Sequence, residues 1–129
     1  MTVLPLGEDF SAIRLPGALV HAAAQSDEPS AVRACLAERL GGPVIRDPAF
    51  DRYYALVQTS IDPVRIAPRT EYLGSGTYLG VPRTNRTELD ETTRDSYWSV
   101  PMARPGALCR VADVLEFTLL CHILTADED

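Results

Sequence analysis

The chain predicts an α+β domain: a mainly antiparallel sheet of about four to five strands, with two N-terminal helices and one C-terminal helix packed on it. Three observations predict this. Apolar residues recur at helical spacing near the start and at the end of the chain. Between those segments the period drops to two, in short runs rich in Val, Ile and Tyr. Glycine and proline punctuate the runs, as hairpins and edge segments require. No repeat or linker interrupts the 129 residues, so residues 1–129 are expected to form one domain, with the acidic tail 125–129 disordered.

Taken in order, "DFSAIRLP" alternates Phe10, Ala12 and Arg14 with Ser11, Ile13 and Leu15, an extended piece. Pro16-Gly17 turns the chain into the alanine-rich helix "GALVHAAAQS". "SDEPSAVRACLAERLGG" is the clearest helix. Ser26, Asp27 or Ser30 can cap it, Val32, Cys35, Leu36 and Leu40 make its apolar face, and Gly41-Gly42 stops it. "GPVIRD" and "RYYALVQT" flank "DPAFD" and form a hairpin, with Asp47-Pro48 starting the turn. "IDPVRIAP" is bounded by prolines, which suits a loop or an edge segment. "EYLGSGTYLGVP" and "SYWSVP" are two further strands. The polar run "RTNRTELDETTRD" between them has no apolar periodicity and is expected to be the most exposed and mobile loop. In the last helix, Leu108, Val111, Leu115, Leu119 and His122 define one face, widened by Val114 and Leu120.

Composition excludes several chemistries. All twelve basic residues are arginine, which removes Schiff-base and P-loop lysine mechanisms. A net charge of −6 opposes non-specific nucleic-acid binding. Arginines nonetheless gather between Arg65 and Arg110, leaving room for a local basic face. Cys35, Cys109 and Cys121 are odd in number and far apart, so buried free thiols in a reducing, cytoplasmic compartment are expected. No apolar run reaches membrane-spanning length, and "MTVLPLGEDF" lacks the pattern of a signal peptide.

The candidate motifs mostly favour structure over chemistry. Gly74, Gly76 and Gly80 miss the spacing of a dinucleotide loop, and "VPRTNRTE" after them is not a helix, so the segment is a strand punctuated by glycines. The one internal acid-x-acid pair, Glu88-x-Asp90, falls in the polar loop, and Asp47 and Asp51 flank a turn. His21 and His122 form no metal-binding motif. No metal and no cofactor is therefore expected. Tyr53, Tyr54, Tyr72, Tyr78, Tyr97 and Trp98 all fall on predicted strands, where those facing solvent could stack on bases beside arginines. One member of each adjacent pair must face the core.

The phrases "DFSAIRLPGALV", "GPVIRDPAFDRYYALV", "YLGSGTYLGVP" and "YWSVP", in that order, resemble small stand-alone actinobacterial proteins similar to the N-terminal domain of bifunctional DNA primase-polymerases. The resemblance spans residues 9 to 108 and implies an α+β core of that type from a GC-rich bacterial source. Catalysis in that family uses a strand-borne acidic pair, a histidine and a further acid. Here "VIRDP" bears one acid and no histidine lies on a predicted strand, so the resemblance implies a shortened, catalytically silent version.

The first expectation is accordingly a non-enzymatic binding or regulatory domain. Its contact surface is the segment Arg83 to Arg94, with Arg83, Arg86 and Arg94, beside Tyr54, Tyr78 and Trp98 on the sheet. A protein partner or self-association leads, followed by a nucleotide or single-stranded nucleic acid, with no membrane. The alternative is an enzyme acting on a small molecule or nucleotide in a sheet–helix cleft through Asp47, Tyr54, Arg83 and His122, and the last is residual nucleotidyl transfer.

Overall fold

In the computed structural model, which describes residues 2–59 and 69–125, the elements follow the predicted alternation of blocks. They are β1 (Thr2–Pro5), β2 (Ser11–Pro16), α1 (Gly17–Ala24), α2 (Pro29–Leu40), β3 (Val44–Asp47), β4 (Arg52–Val57), β5 (Glu71–Leu73), β6 (Tyr78–Val81), β7 (Tyr97–Val100) and α3 (Val111–Thr125). The fold is α+β, with a five-stranded antiparallel sheet of order β5-β2-β4-β3-β7 and a separate two-stranded sheet of β1 and β6.

Register decides the layers. Leu15, Tyr53, Arg46 and Tyr97 lie directly across from one another, as do Arg14, Tyr54, Ile45 and Trp98 in the next row. Successive rows point to opposite faces. The face carrying Ile13, Leu15, Val44, Tyr53, Ala55 and Val57 packs against all three helices, through Leu19, Val32, Leu36, Val114 and Phe117 among others. The opposite face carries Ala12, Ile45, Leu56 and Trp98 and is covered by Leu6 and by Leu79 of the small sheet. With both faces covered, β2 is buried almost throughout, which is why its alternation was faint in the sequence.

The α2 face of Val32, Leu36 and Leu40 is buried as expected, and Gly41 ends the helix at φ 64°. The cap differs from expectation. Glu28, rather than Ser26, Asp27 or Ser30, accepts from the Ser30 and Ala31 N–H groups at 3.3 and 3.1 Å, because Pro29 takes the first helical position and sets the cap one residue earlier. Ser26 instead accepts from the Glu28 N–H at 3.0 Å.

Three further expectations are corrected. "EYLGSGTYLGVP" is not one strand: a turn closed by the Thr77 N–H on the Gly74 carbonyl (3.1 Å) splits it, sending β5 to the large sheet and β6 to the small one. The partner of β6 is β1, a strand the sequence concealed because Pro5 and Gly7 interrupt a very short apolar run. Gly7 turns the chain at φ +92°, where a side chain would also meet the backbone of Ser75. Finally, α3 buries Val114, Phe117, Thr118 and Cys121, not the Leu115–Leu119–His122 stripe, and leaves Leu119 56% exposed. The helix is apolar nearly all round, and Thr118 is no obstacle to burial because its hydroxyl donates to the Leu115 carbonyl at 2.8 Å. "IDPVRIAP" and the tail fall largely outside the described residues.

Candidate functional site

Beyond β6 the chain enters the polar loop at Pro82, and the loop is tied down rather than free. The Trp98 indole donates to the Pro82 carbonyl at 3.2 Å, and the Trp98 backbone N–H donates to the Arg86 carbonyl at 2.8 Å. A turn from Arg83 to Arg86 (3.0 Å) fits between those clips. Because β7 is an edge strand, the loop gives one of its outward N–H groups a partner. Arg33 reaches across from α2, its Nε donating to the Ser99 carbonyl at 2.7 Å and its Nη2 to that of Thr87. Farther on, the Asp90 carboxylate accepts from the Thr92 and Thr93 N–H groups, which hold it below the usual carboxylate range. One of its oxygens, Oδ1, is thus engaged in its own turn.

This pinned loop borders a cleft of about 360 Å³ lined by Pro82, Arg83, Arg86, Asp95 and Ser96. Arg86 makes a 3.5 Å ion pair with Asp95 at the surface, with side chains 40% and 59% exposed. Such a pair contributes ~0–1 kcal/mol and separates easily. The Arg83 side chain is exposed and has no hydrogen-bond or ionic partner among the described residues. A guanidinium presenting all its donors to water at the rim of a cleft suits a carboxylate or phosphate.

The remaining predicted site residues divide. Trp98 is 5% exposed, so it offers no stacking face and instead anchors the loop through its indole N–H on the Pro82 carbonyl. Tyr54 is half-buried in the same layer as Trp98. Tyr78 is 69% exposed on the outer side of β6, since Leu79 and Val81 point inward. Arg94 leaves the cleft altogether and donates to the Pro48 carbonyl at 3.3 Å. The alternative constellation is not assembled: Asp47 accepts from the Phe50 N–H in the hairpin turn, His122 sits on α3, and Tyr54 lies on the sheet face opposite the helices.

A polar network that sequence reasoning missed lies on the helix side. His21 Nε2 and the Tyr53 hydroxyl are 2.8 Å apart, Arg46 stacks 4.5 Å over the Tyr53 ring, and Asp51 pairs with Arg46 at 3.0 Å. Burial, helped by the Arg46 charge, lowers the His21 pKa, and burial raises that of Tyr53. The hairpin register was the available signal, since counting back from the turn sets Arg46 opposite Tyr53. Burial likewise pushes the thiols of Cys109 and Cys121 up to about 12, far from a reactive thiolate.

No protein-family model, curated protein or solved structure matches the chain. No helix among the described residues is long and apolar enough to cross a membrane.

Proposed function

We propose that this is a non-catalytic binding or regulatory domain that holds a small anionic ligand in the Pro82–Ser96 cleft. The observation that carries the reading is Arg83, unpartnered at the rim of a cleft whose loop is already ordered by Trp98 and Arg33. Order before binding lowers the entropy a ligand must overcome. A phosphate-bearing small molecule fits better than a nucleic-acid strand. The chain carries −6 overall, and Glu88, Asp90 and Glu91 crowd the same loop, so an extended polyanion is repelled. The non-catalytic part rests on the polar groups being engaged structurally. His21 bonds Tyr53, Asp90 caps its turn, and among the described residues no three His, Cys, Asp or Glu side chains converge. On this reading the likeness to primase-polymerase N-terminal domains concerns the framework, not the activity.

Titration with pyrophosphate at low salt, followed by calorimetry, tests the proposal. Saturable binding is expected in the parent and is lost in the Arg83→Ala/Arg86→Ala double variant. Oligothymidylate is expected to bind more weakly than pyrophosphate. Absence of pyrophosphate binding at low salt would overturn the reading.

Self-association is a second reading with its own observation: Leu119 and Ile123, four residues apart on α3, are 56% and 61% exposed. Sedimentation of the parent against Leu119→Glu tests it, a monomer in both being the negative result.

A further inference from the structure

Chain neighbours of the residues that line the cleft also line a second cavity. It measures about 220 Å³ and is walled by Phe10, Leu56, Val81, Trp98 and Met102, with Thr84 among its lining residues. It lies between the two sheets, where β1 and β6 cover the large sheet incompletely. Close packing is the rule in protein interiors, and space of this size lined by apolar side chains can admit an apolar guest. The same short segments build both spaces. Val81 and Thr84 line the apolar cavity while Pro82, Arg83 and Arg86 line the polar cleft, and Trp98 and Ser96 divide in the same way along the edge strand.

From this we infer that the ligand is an amphipathic anion. A phenyl-sized or branched alkyl group seats in the cavity between the sheets, and a phosphate or carboxylate extends past Thr84 to Arg83 and Arg86. This rests on the cleft reading and adds the second half of the ligand. The choice of an apolar group over a nucleobase follows from the donors and acceptors available. A base carries several polar edge atoms, which cost free energy when buried without partners. The cavity wall offers the Thr84 hydroxyl, whereas the Trp98 indole N–H is already committed to the Pro82 carbonyl. The charge at the exit selects the other end. Arg83 stands next to Thr84 in the chain, and its guanidinium is free of protein partners among the described residues.

Trp98, the single tryptophan of the chain, walls the cavity and reports its occupancy by fluorescence. Three probes separate the halves: phenylpropyl phosphate, phenylpropanol and inorganic phosphate. Phenylpropyl phosphate is expected to bind about tenfold to a hundredfold tighter than either of the others, the gain that burying a ring of this size confers. Arg83→Ala removes the advantage over the alcohol, and Thr84→Phe, which blocks the exit, removes the advantage over inorganic phosphate. Both residues are exposed, so neither change threatens the fold. Equal affinity for phenylpropyl phosphate and inorganic phosphate overturns the inference and leaves the cleft reading standing. Equal affinity for phenylpropyl phosphate and the alcohol, untouched by Arg83→Ala, overturns it from the other side. Failure of every probe, inorganic phosphate included, removes the cleft reading as well.

Discussion

The two faces of the five-stranded sheet are built to different standards of closure. On the helix side the cluster is continuous through all three helices, and its polar groups at the margin are matched to one another: His21 to Tyr53, Arg46 to Asp51. On the other side a two-stranded sheet covers part of the surface, leaving an apolar cavity and, beside it, an arginine with no partner among the described residues. The lesson is that charge and aromatic content do not by themselves distinguish a site. Arg46, Tyr53 and Tyr97 form the denser cluster of arginine and aromatics, yet they stabilise the fold because their needs are met internally. Arg83 is poorer in neighbours and more available.

The largest expected effect breaks the helix side. Leu36→Ala, at a fully buried position, should cost ~2–5 kcal/mol in urea unfolding. Met102→Ala on the opposite side should cost about 1 kcal/mol or less, because Met102 already borders empty space. Equal losses would erase the contrast between the faces.

Gly7→Ala comes next. A positive φ and the close Ser75 backbone together predict a loss of ~1–3 kcal/mol. Because Gly7 follows β1, hydrogen exchange should show β1 and β6 opening first while the helix-side amides stay protected.

Tyr53→Phe tests whether the helix-side network is satisfied as described. It removes the hydroxyl from His21 and should lower stability by ~1 kcal/mol. The same network sets a pH dependence. Folding depresses the His21 pKa, so the unfolded chain binds the proton more readily. Its stabilising contribution is therefore complete above the ordinary imidazole value of 6.5 and is lost as pH falls through the lower folded value. The neighbouring charges are Arg46, which reinforces the shift, and Asp51 and Asp27, which oppose it. Melting temperature should fall on acidification through that window, and His21→Gln should flatten that part of the profile.

The smallest effect on stability belongs to Arg83→Ala. Melting should shift by no more than about 0.5 kcal/mol equivalent, while anion binding is weakened. A marked destabilisation would show that Arg83 serves the fold and would close the difference between the two faces.

Much of this architecture was legible from local sequence. The α2 face, the Gly41 stop, the β3–β4 hairpin and the general α+β order follow from spacing and punctuation, which act over a few residues. Arg83 and Arg86 were expected as contact residues from the polar run, and both line the cleft, although nothing in that run showed that Arg94 would be drawn away to Pro48. The burial of Trp98 was equally hidden, since adjacent aromatics on a strand must take opposite faces but the sequence does not say which is covered.

Local sequence by itself determined the order of the helical and extended blocks, the stop after α2 and the β3–β4 turn, because φ/ψ preferences, caps and periodicity are short-range properties. Tertiary structure alone decided that "EYLGSGTYLGVP" divides between two sheets, which stripe of an apolar α3 turns inward, and which arginine remains without a partner. Those outcomes depend on surfaces supplied by residues distant in the chain. A strand edge, a helix face or a guanidinium is taken or left by what arrives opposite it.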